Sequence, residues 1–109
     1  MRIFLNNFPL RHKFKAKQTE NDGITFSSKL ESRWYSIIKD MQESKEILFF
    51  LRQIPFHLPG NVIYRADFML FFTDGHIEIW EAKGFETPEW VTKKKLVEAL
   101  YPITIEIKK

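Results

Sequence analysis

A chain of 109 residues can enclose one hydrophobic core, so a single domain spanning 1–109 is expected. Apolar residues make up 44% and cysteine is absent, which predicts a packed globule and excludes disulfides, thiolate zinc sites and cysteine nucleophiles. The net charge of +3 decides nothing alone, and no apolar run approaches the ~18 residues that span a bilayer, so no membrane partner is expected. The eleven phenylalanines and three tryptophans are read mainly as core, with a subunit interface as the alternative for some.

In chain order, Met1 to Leu5 reads as a short strand that Asn6-Asn7 breaks, too short for a signal peptide's apolar core. A cytoplasmic protein follows as the plain expectation. Residues 9 to 25 are polar and basic, with a turn signal at Asn21-Asp22-Gly23, and read as an arm or loop. Residues 1–17 thus form a basic arm or an extra strand. Ser28 followed by Glu31 matches a capping box, and Leu30, Trp34, Ile37, Ile38 and Met41 recur at helical spacing, predicting a helix over 28–44. Ile47 to Gln53 is apolar and aromatic enough for a strand, which Pro55, Pro59 and Gly60 are expected to end. Asn61 to Phe72 and Ile77 to Lys83 form the next two strands. Thr87-Pro88-Glu89 opens a second helix that runs to Tyr101 before Pro102. Alternation at Ile103, Ile105 and Ile107 gives a final half-buried strand. The fold class is therefore α/β, a mixed sheet flanked by helices.

Chemistry concentrates on the hairpin between the second and third of these strands. A three-residue loop, Thr73 to Gly75, sets Phe72 against His76 and Asp67 against Glu81, with β-carbons ~4.5–5.5 Å apart on one face. A two-residue Asp74-Gly75 turn instead sets Asp67 against Ala82 and sends the two acids to opposite faces. The sequence is compatible with both turns. In the first register two carboxylates repel unless a cation lies between them. Mg²⁺, with Mn²⁺ as substitute, takes one or two carboxylates and keeps several waters, and it polarises a phosphate and ionises water. Lys83, two residues after Glu81, would hold the nucleophilic water or offset charge in a pentavalent transition state.

An exposed cross-strand ion pair is the ordinary explanation of such a patch. Two details favour chemistry. Asp67 is the lone acid in a largely apolar strand, and Gly84 after Lys83 leaves room for a phosphate backbone. Glu31 has a full explanation as a helix cap and an alternative as a further ligand. The lysine clusters Lys13, Lys15, Lys17 and Lys93, Lys94, Lys95 can neutralise phosphates, but a solvated surface is their ordinary explanation, the two readings being level only for Lys94 and Lys95. His12, His57 and His76 lack mutual ligand spacing and are read as loop or surface residues. Trp80 and Trp90 are read as core or, alternatively, as stacking platforms for bases, core being favoured for Trp80.

Four blocks in order resemble a known group. Glu20 to Glu31, Tyr64-Arg65-Ala66-Asp67-Phe68, Glu81-Ala82-Lys83-Gly84-Phe85 and Lys94 to Tyr101 are similar to small phage-encoded nucleases of the PD-(D/E)XK superfamily, over about Lys17 to Ile107. The resemblance implies a restriction-endonuclease-like core and a Mg²⁺-dependent endonuclease, in the host cytoplasm if phage-encoded. Asp67 and Glu81 match the superfamily's metal ligands and Lys83 its catalytic lysine. Glu31 matches the acid on the first helix that completes the site in archaeal-type Holliday junction resolvases, making it a third ligand. Ala66 stands where the motif's proline would be, with no ligand lost. The implied partners are branched DNA, contacted by Arg65 and the lysine clusters, and a second copy of the chain placing two sites for paired cuts. A restriction-like or nicking nuclease is the alternative within the class, and an inert DNA-binding module is the alternative outside it.

Overall fold

A computed structural model describes residues 18–109. The order is β1 (Thr19–Asn21), β2 (Ile24–Phe26), α1 (Lys29–Glu43), β3 (Ile47–Leu58), β4 (Val62–Phe72), β5 (Ile77–Ala82), α2 (Pro88–Leu100) and β6 (Ile105–Lys108). A four-stranded sheet runs β3-β4-β5-β6, beside a separate β1-β2 hairpin. The first three strands of the larger sheet pair antiparallel and β6 joins β5 in parallel, so α2 serves as the crossover. This mixed α/β architecture is the expected fold class and is compatible with a restriction-endonuclease-like core. No helix among the described residues is long and apolar enough to cross a membrane.

Several boundaries differ from the sequence reading, each for a physical reason. Part of the supposed arm, Thr19 to Phe26, is a hairpin around the Asn21-Asp22-Gly23 turn. Its strands are three residues long and mostly polar, so they carry no periodic signal. Tertiary bonds hold them: Asn21 Nδ2 donates to Ser32 and Ser36 Oγ at 3.1 and 2.9 Å, and Tyr35 Oη donates to Asp22 at 2.9 Å. The first long strand does not end near Gln53 but continues through Pro55 to Leu58. Because β3 is a sheet edge, the missing N–H of Pro55 is tolerated there. The β5 strand ends at Ala82, and the last strand begins at Ile105. The expected strand at Met1 to Leu5 and residues Lys13, Lys15 and Lys17 lie outside the described residues.

Both helices start as their sequences predict. The Ser28 hydroxyl accepts the Glu31 N–H at 3.1 Å, and the Thr87 hydroxyl accepts the Trp90 N–H at 3.2 Å with Pro88 at the first turn. Each helix covers its own core. Tyr35 and Ile38 of α1 pack with Phe26, Phe68, Leu70, Phe72 and Trp80, while Trp90 and Val97 of α2 pack with Tyr64, Ala66, Ile79 and Ile105.

This division reveals how the sheet is built. Residues two apart in a regular strand share a face. Ala66 and Phe68 instead belong to opposite cores, so β4 turns over at Asp67. The neighbouring strand does the same at the same level, because Phe50 packs toward α1 whereas Ile54 and Phe56 pack toward α2. Arg52 pairs with Phe68 and Ile54 with Ala66, but Gln53 and Asp67 are left out of the ladder. Gln53 carries the distortion, with φ of 54° in the left-handed region. Phe68, fully buried beside this turnover, should be among the costliest core losses. Phe68→Ala is expected to lower the unfolding free energy by about 3–5 kcal/mol, measured by urea denaturation.

Candidate active site

The register that the site requires is the one formed. Phe71 pairs with Ile77, Leu70 with Glu78, Met69 with Ile79 and Phe68 with Trp80, where the ladder ends; just beyond it the Asp67 N–H donates to the Glu81 carboxylate at 3.3 Å, which brings the two acids together. The connection is the three-residue loop. Phe72 N–H donates to the His76 carbonyl at 2.9 Å, and Gly75 takes φ of 99°, a left-handed conformation that glycine adopts without penalty.

At the end of that ladder the acids replace backbone partners. Asp67 Oδ2 accepts the Ala82 N–H at 2.9 Å. Glu81 Oε1 accepts the Tyr64 hydroxyl at 3.0 Å and the Asp67 N–H at 3.3 Å. Glu81 is 7% exposed and Glu31 3%, unusual values for carboxylates in so small a protein. Glu31 behaves differently from the expected capping box. Its backbone N–H is capped by Ser28, but its carboxylate turns inward, where Oε1 accepts Ser27 Oγ–H at 3.0 Å. Gln53 Nε2 donates both to Glu31 Oε2 at 3.0 Å and to Asp67 Oδ1 at 3.3 Å, joining the helix acid to the strand acid. Arg52 Nη2 stands 3.6 Å from Glu31 Oε2.

The resulting electrostatics are those of carboxylates whose burial and mutual repulsion favour the protonated form. Burial, followed by the charge of Glu31, pushes the Asp67 carboxyl up to about 6. Burial, followed by the charge of Asp67, pushes Glu81 up to about 7. Burial also raises the Tyr64 hydroxyl, which keeps it a hydrogen-bond donor to Glu81. Lys83 favours the ionised form of both acids, but as the weakest of the influences on each.

Lys83 lies one residue past the end of β5, where its N–H donates to the Lys108 carbonyl of β6 at 3.0 Å. Its Nζ lies 5.3 Å from the centroid of the Trp90 ring, within range of a cation–π contact. Glu31, Asp67, Glu81 and Lys83 line one open cleft of about 480 Å³, together with Ser27, Gly84 and Phe85. A Cβ at Gly84 would meet nothing within 4 Å, so packing does not demand glycine there.

All four acids and bases singled out in the sequence therefore reach one cleft. Among the described residues, however, no three of His, Cys, Asp and Glu are arranged to hold a metal ion together. Asp67 and Glu81 form the close pair, and Glu31 joins it through Gln53. A two-carboxylate donor set completed by water suits Mg²⁺ chemically, because that ion keeps much of its hydration shell.

The other expectations divide. Arg65, Lys93 and Lys95 are exposed. Lys94 is half-buried and paired with Glu98 at 3.0 Å, and Glu98 in turn accepts the Ile105 N–H at 2.8 Å. That lysine braces α2 against β6. Both Trp80 and Trp90 are buried, each in its own core, so neither presents a face for base stacking. His57 and His76 are surface residues, as read, and His12 lies outside the described residues. Sequence reasoning missed Ser27, Arg52, Gln53 and Tyr64. The one available signal was the polar pair Arg52-Gln53 interrupting an apolar run.

A family model described as "Protein of unknown function (DUF1064)" matches residues 11–108. No curated protein matches the chain, and no solved structure does.

The raised acids make stability depend on pH in a definite direction. Asp67 and Glu81 bind protons more tightly folded than unfolded, so the metal-free protein loses stability as pH rises from about 4 through about 7. Asp67→Asn removes one of these groups. In chelator, its melting temperature is expected to gain on that of wild type between pH 5 and pH 8, and a gap that stays constant would contradict the assigned shifts.

Proposed function

The chain belongs to the DUF1064 family, and we propose that it is a Mg²⁺-dependent DNA endonuclease, selective for branched DNA such as four-way junctions. The observation that carries this reading is buried Glu81 bonded to half-buried Asp67, both with raised proton affinity, set in an open cleft beside a lysine. Preference for a junction rests on the match of Glu31 and of the overall layout to archaeal-type Holliday junction resolvases.

Asp67 and Glu81 would hold the divalent ion, with Glu31 behind them and Mn²⁺ able to substitute. When bound, such an ion polarises the scissile phosphate and lowers the pKa of a coordinated water. The chain's own residues do the remaining work. Tyr64 and the Ala82 N–H orient one oxygen of Glu81 and one of Asp67 through hydrogen bonds, which limits side-chain rearrangement during reaction. Lys83, fixed at its backbone by β6, carries a positive charge into the cleft that can orient water or offset the charge gained by the phosphoryl group. Gly84 lets the sugar–phosphate chain approach without a side chain in the way.

Arg65, Lys93 and Lys95 offer exposed cations to flanking phosphates, which makes binding weaken steeply with salt. A homodimer would supply two clefts for paired cuts. Leu48, Phe49, Leu51 and Ile77 are exposed apolar residues, the composition that subunit contacts use.

The test is cleavage of a four-way junction and of linear duplex, with Mg²⁺, with Mn²⁺ and with chelator. Junction cutting that needs metal is the expected result. Asp67→Asn and Lys83→Ala are each expected to reduce the rate by about 10²-fold or more while binding in Ca²⁺ persists. Equal cutting of duplex would indicate the restriction-like alternative, and binding without cutting under any metal would indicate the inert module.

A further inference from the structure

Gln53 is the one residue of the site whose backbone is held in an unfavourable conformation. Four non-glycine residues among those described have positive φ, and Asp22, Lys45 and Asn61 all lie in turns. Gln53, at φ 54°, lies inside a strand. A side chain with a Cβ rarely adopts this region, and inside a strand it forfeits regular pairing. The neighbouring pairs Arg52–Phe68 and Ile54–Ala66 remain in register, so the distortion is confined to this residue. What the distortion achieves is the placement of one carboxamide between Glu31 on α1 and Asp67 on β4.

We propose that Gln53 is an additional cation-binding residue of this cleft, giving its amide oxygen to the ion that Asp67 and Glu81 hold. The proposal rests on the metal-dependent reading above. A carboxamide has a donor end and an acceptor end of nearly the same shape, exchanged by rotation about its last bond. Two carboxylates by themselves call for the N–H₂ end, and that end faces Glu31 and Asp67 at 3.0 and 3.3 Å. A divalent ion beside Asp67 reverses the preference, because N–H repels a cation while an amide oxygen is a hard donor suited to Mg²⁺ or Mn²⁺. A neutral oxygen also adds a ligand without adding to the repulsion among three acids. Gln53 is exposed, so its side chain can turn over without disturbing either core.

The test is Mn²⁺ binding to the full chain without DNA, measured by titration calorimetry, with melting curves as a check on folding. Gln53→Met keeps the length of the side chain and loses both polar ends, and it is expected to weaken Mn²⁺ binding about tenfold or more. Gln53→Glu keeps an oxygen and loses the N–H₂, and it is expected to bind at least as tightly as wild type. Should the methionine variant not fold, Gln53→Asn replaces it, since asparagine tolerates the left-handed backbone but is too short to reach, and the same weakening is expected. Affinity within about twofold of wild type in the short or apolar variant would overturn the proposal, against the tenfold scale of such effects. Equal weakening in the glutamate variant would overturn it too, reducing Gln53 to a splint that works through its N–H. A metal-binding cleft and a liganding Gln53 are disproved by different results. If wild type binds Mn²⁺ and Asp67→Asn does not, an unaffected methionine variant removes only this inference, whereas wild type that binds no Mn²⁺ removes the metal-dependent reading with it.

Discussion

Two neighbouring carboxylates, Glu81 buried and Asp67 half-buried, oppose folding when both are charged, and the architecture of this chain is organised around tolerating them. Burial and mutual repulsion raise the proton affinity of both Asp67 and Glu81. They persist because each accepts a backbone N–H that a regular sheet would have paired with a carbonyl, and Glu81 accepts the Tyr64 hydroxyl besides. The backbone pairing that is given up at this point is local. Above it the β4-β5 ladder is regular, and the β3-β4 pairs keep one register on either side of Gln53, from Phe49 to Leu58, with a shift between Ile47 and Phe49.

The same level of the sheet is where the strands pass from one core to the other. That passage lets a single short domain carry two apolar clusters, one under each helix, and leaves an open cleft where they diverge. Each flank contributes one part of the site. The α1 side brings Glu31, whose helix is moored by the β1-β2 hairpin through Asn21 and Asp22. The α2 side brings the Trp90 ring beneath Lys83, and the parallel strand β6 fixes the lysine's backbone. Glu98 ties α2 to the start of β6, so the position of the lysine depends on contacts some fifteen residues away in the chain.

Local chemistry made much of this legible. The left-handed preference of Gly75 and the length of Thr73-Asp74-Gly75 determine the register, and the register determines that Asp67 faces Glu81. Capping residues Ser28 and Thr87 mark the starts of both helices because their side chains satisfy nearby N–H groups. What escaped was set by distant partners. The strand through Pro55 is permitted only by its place at the sheet edge, and no local pattern reports which strand will be an edge. The β1-β2 hairpin is held by bonds to α1 rather than by its own alternation. Glu31 has the spacing of a capping box, yet its carboxylate is claimed by Ser27 and Gln53. Gln53 itself is a strand residue whose conformation follows from the acids it touches, and single-residue propensity carries no trace of that. Lys94 is a different case, a local signal overlooked: Glu98 stands four residues on, the spacing of a helical ion pair.

The outer edge of β3 has a consequence for how the protein behaves in a crowded solution. Among the described residues no strand pairs with the outer side of β3, and a twelve-residue strand open along one side would ordinarily template the addition of a foreign strand, the first step toward aggregation. Pro55 removes a donor from that row, and the backbone reversal at Gln53 two residues earlier bends it. An incoming chain could zip along only a few residues before losing its partners. The irregularity that serves the cleft thus also keeps the molecule's longest open margin from becoming adhesive.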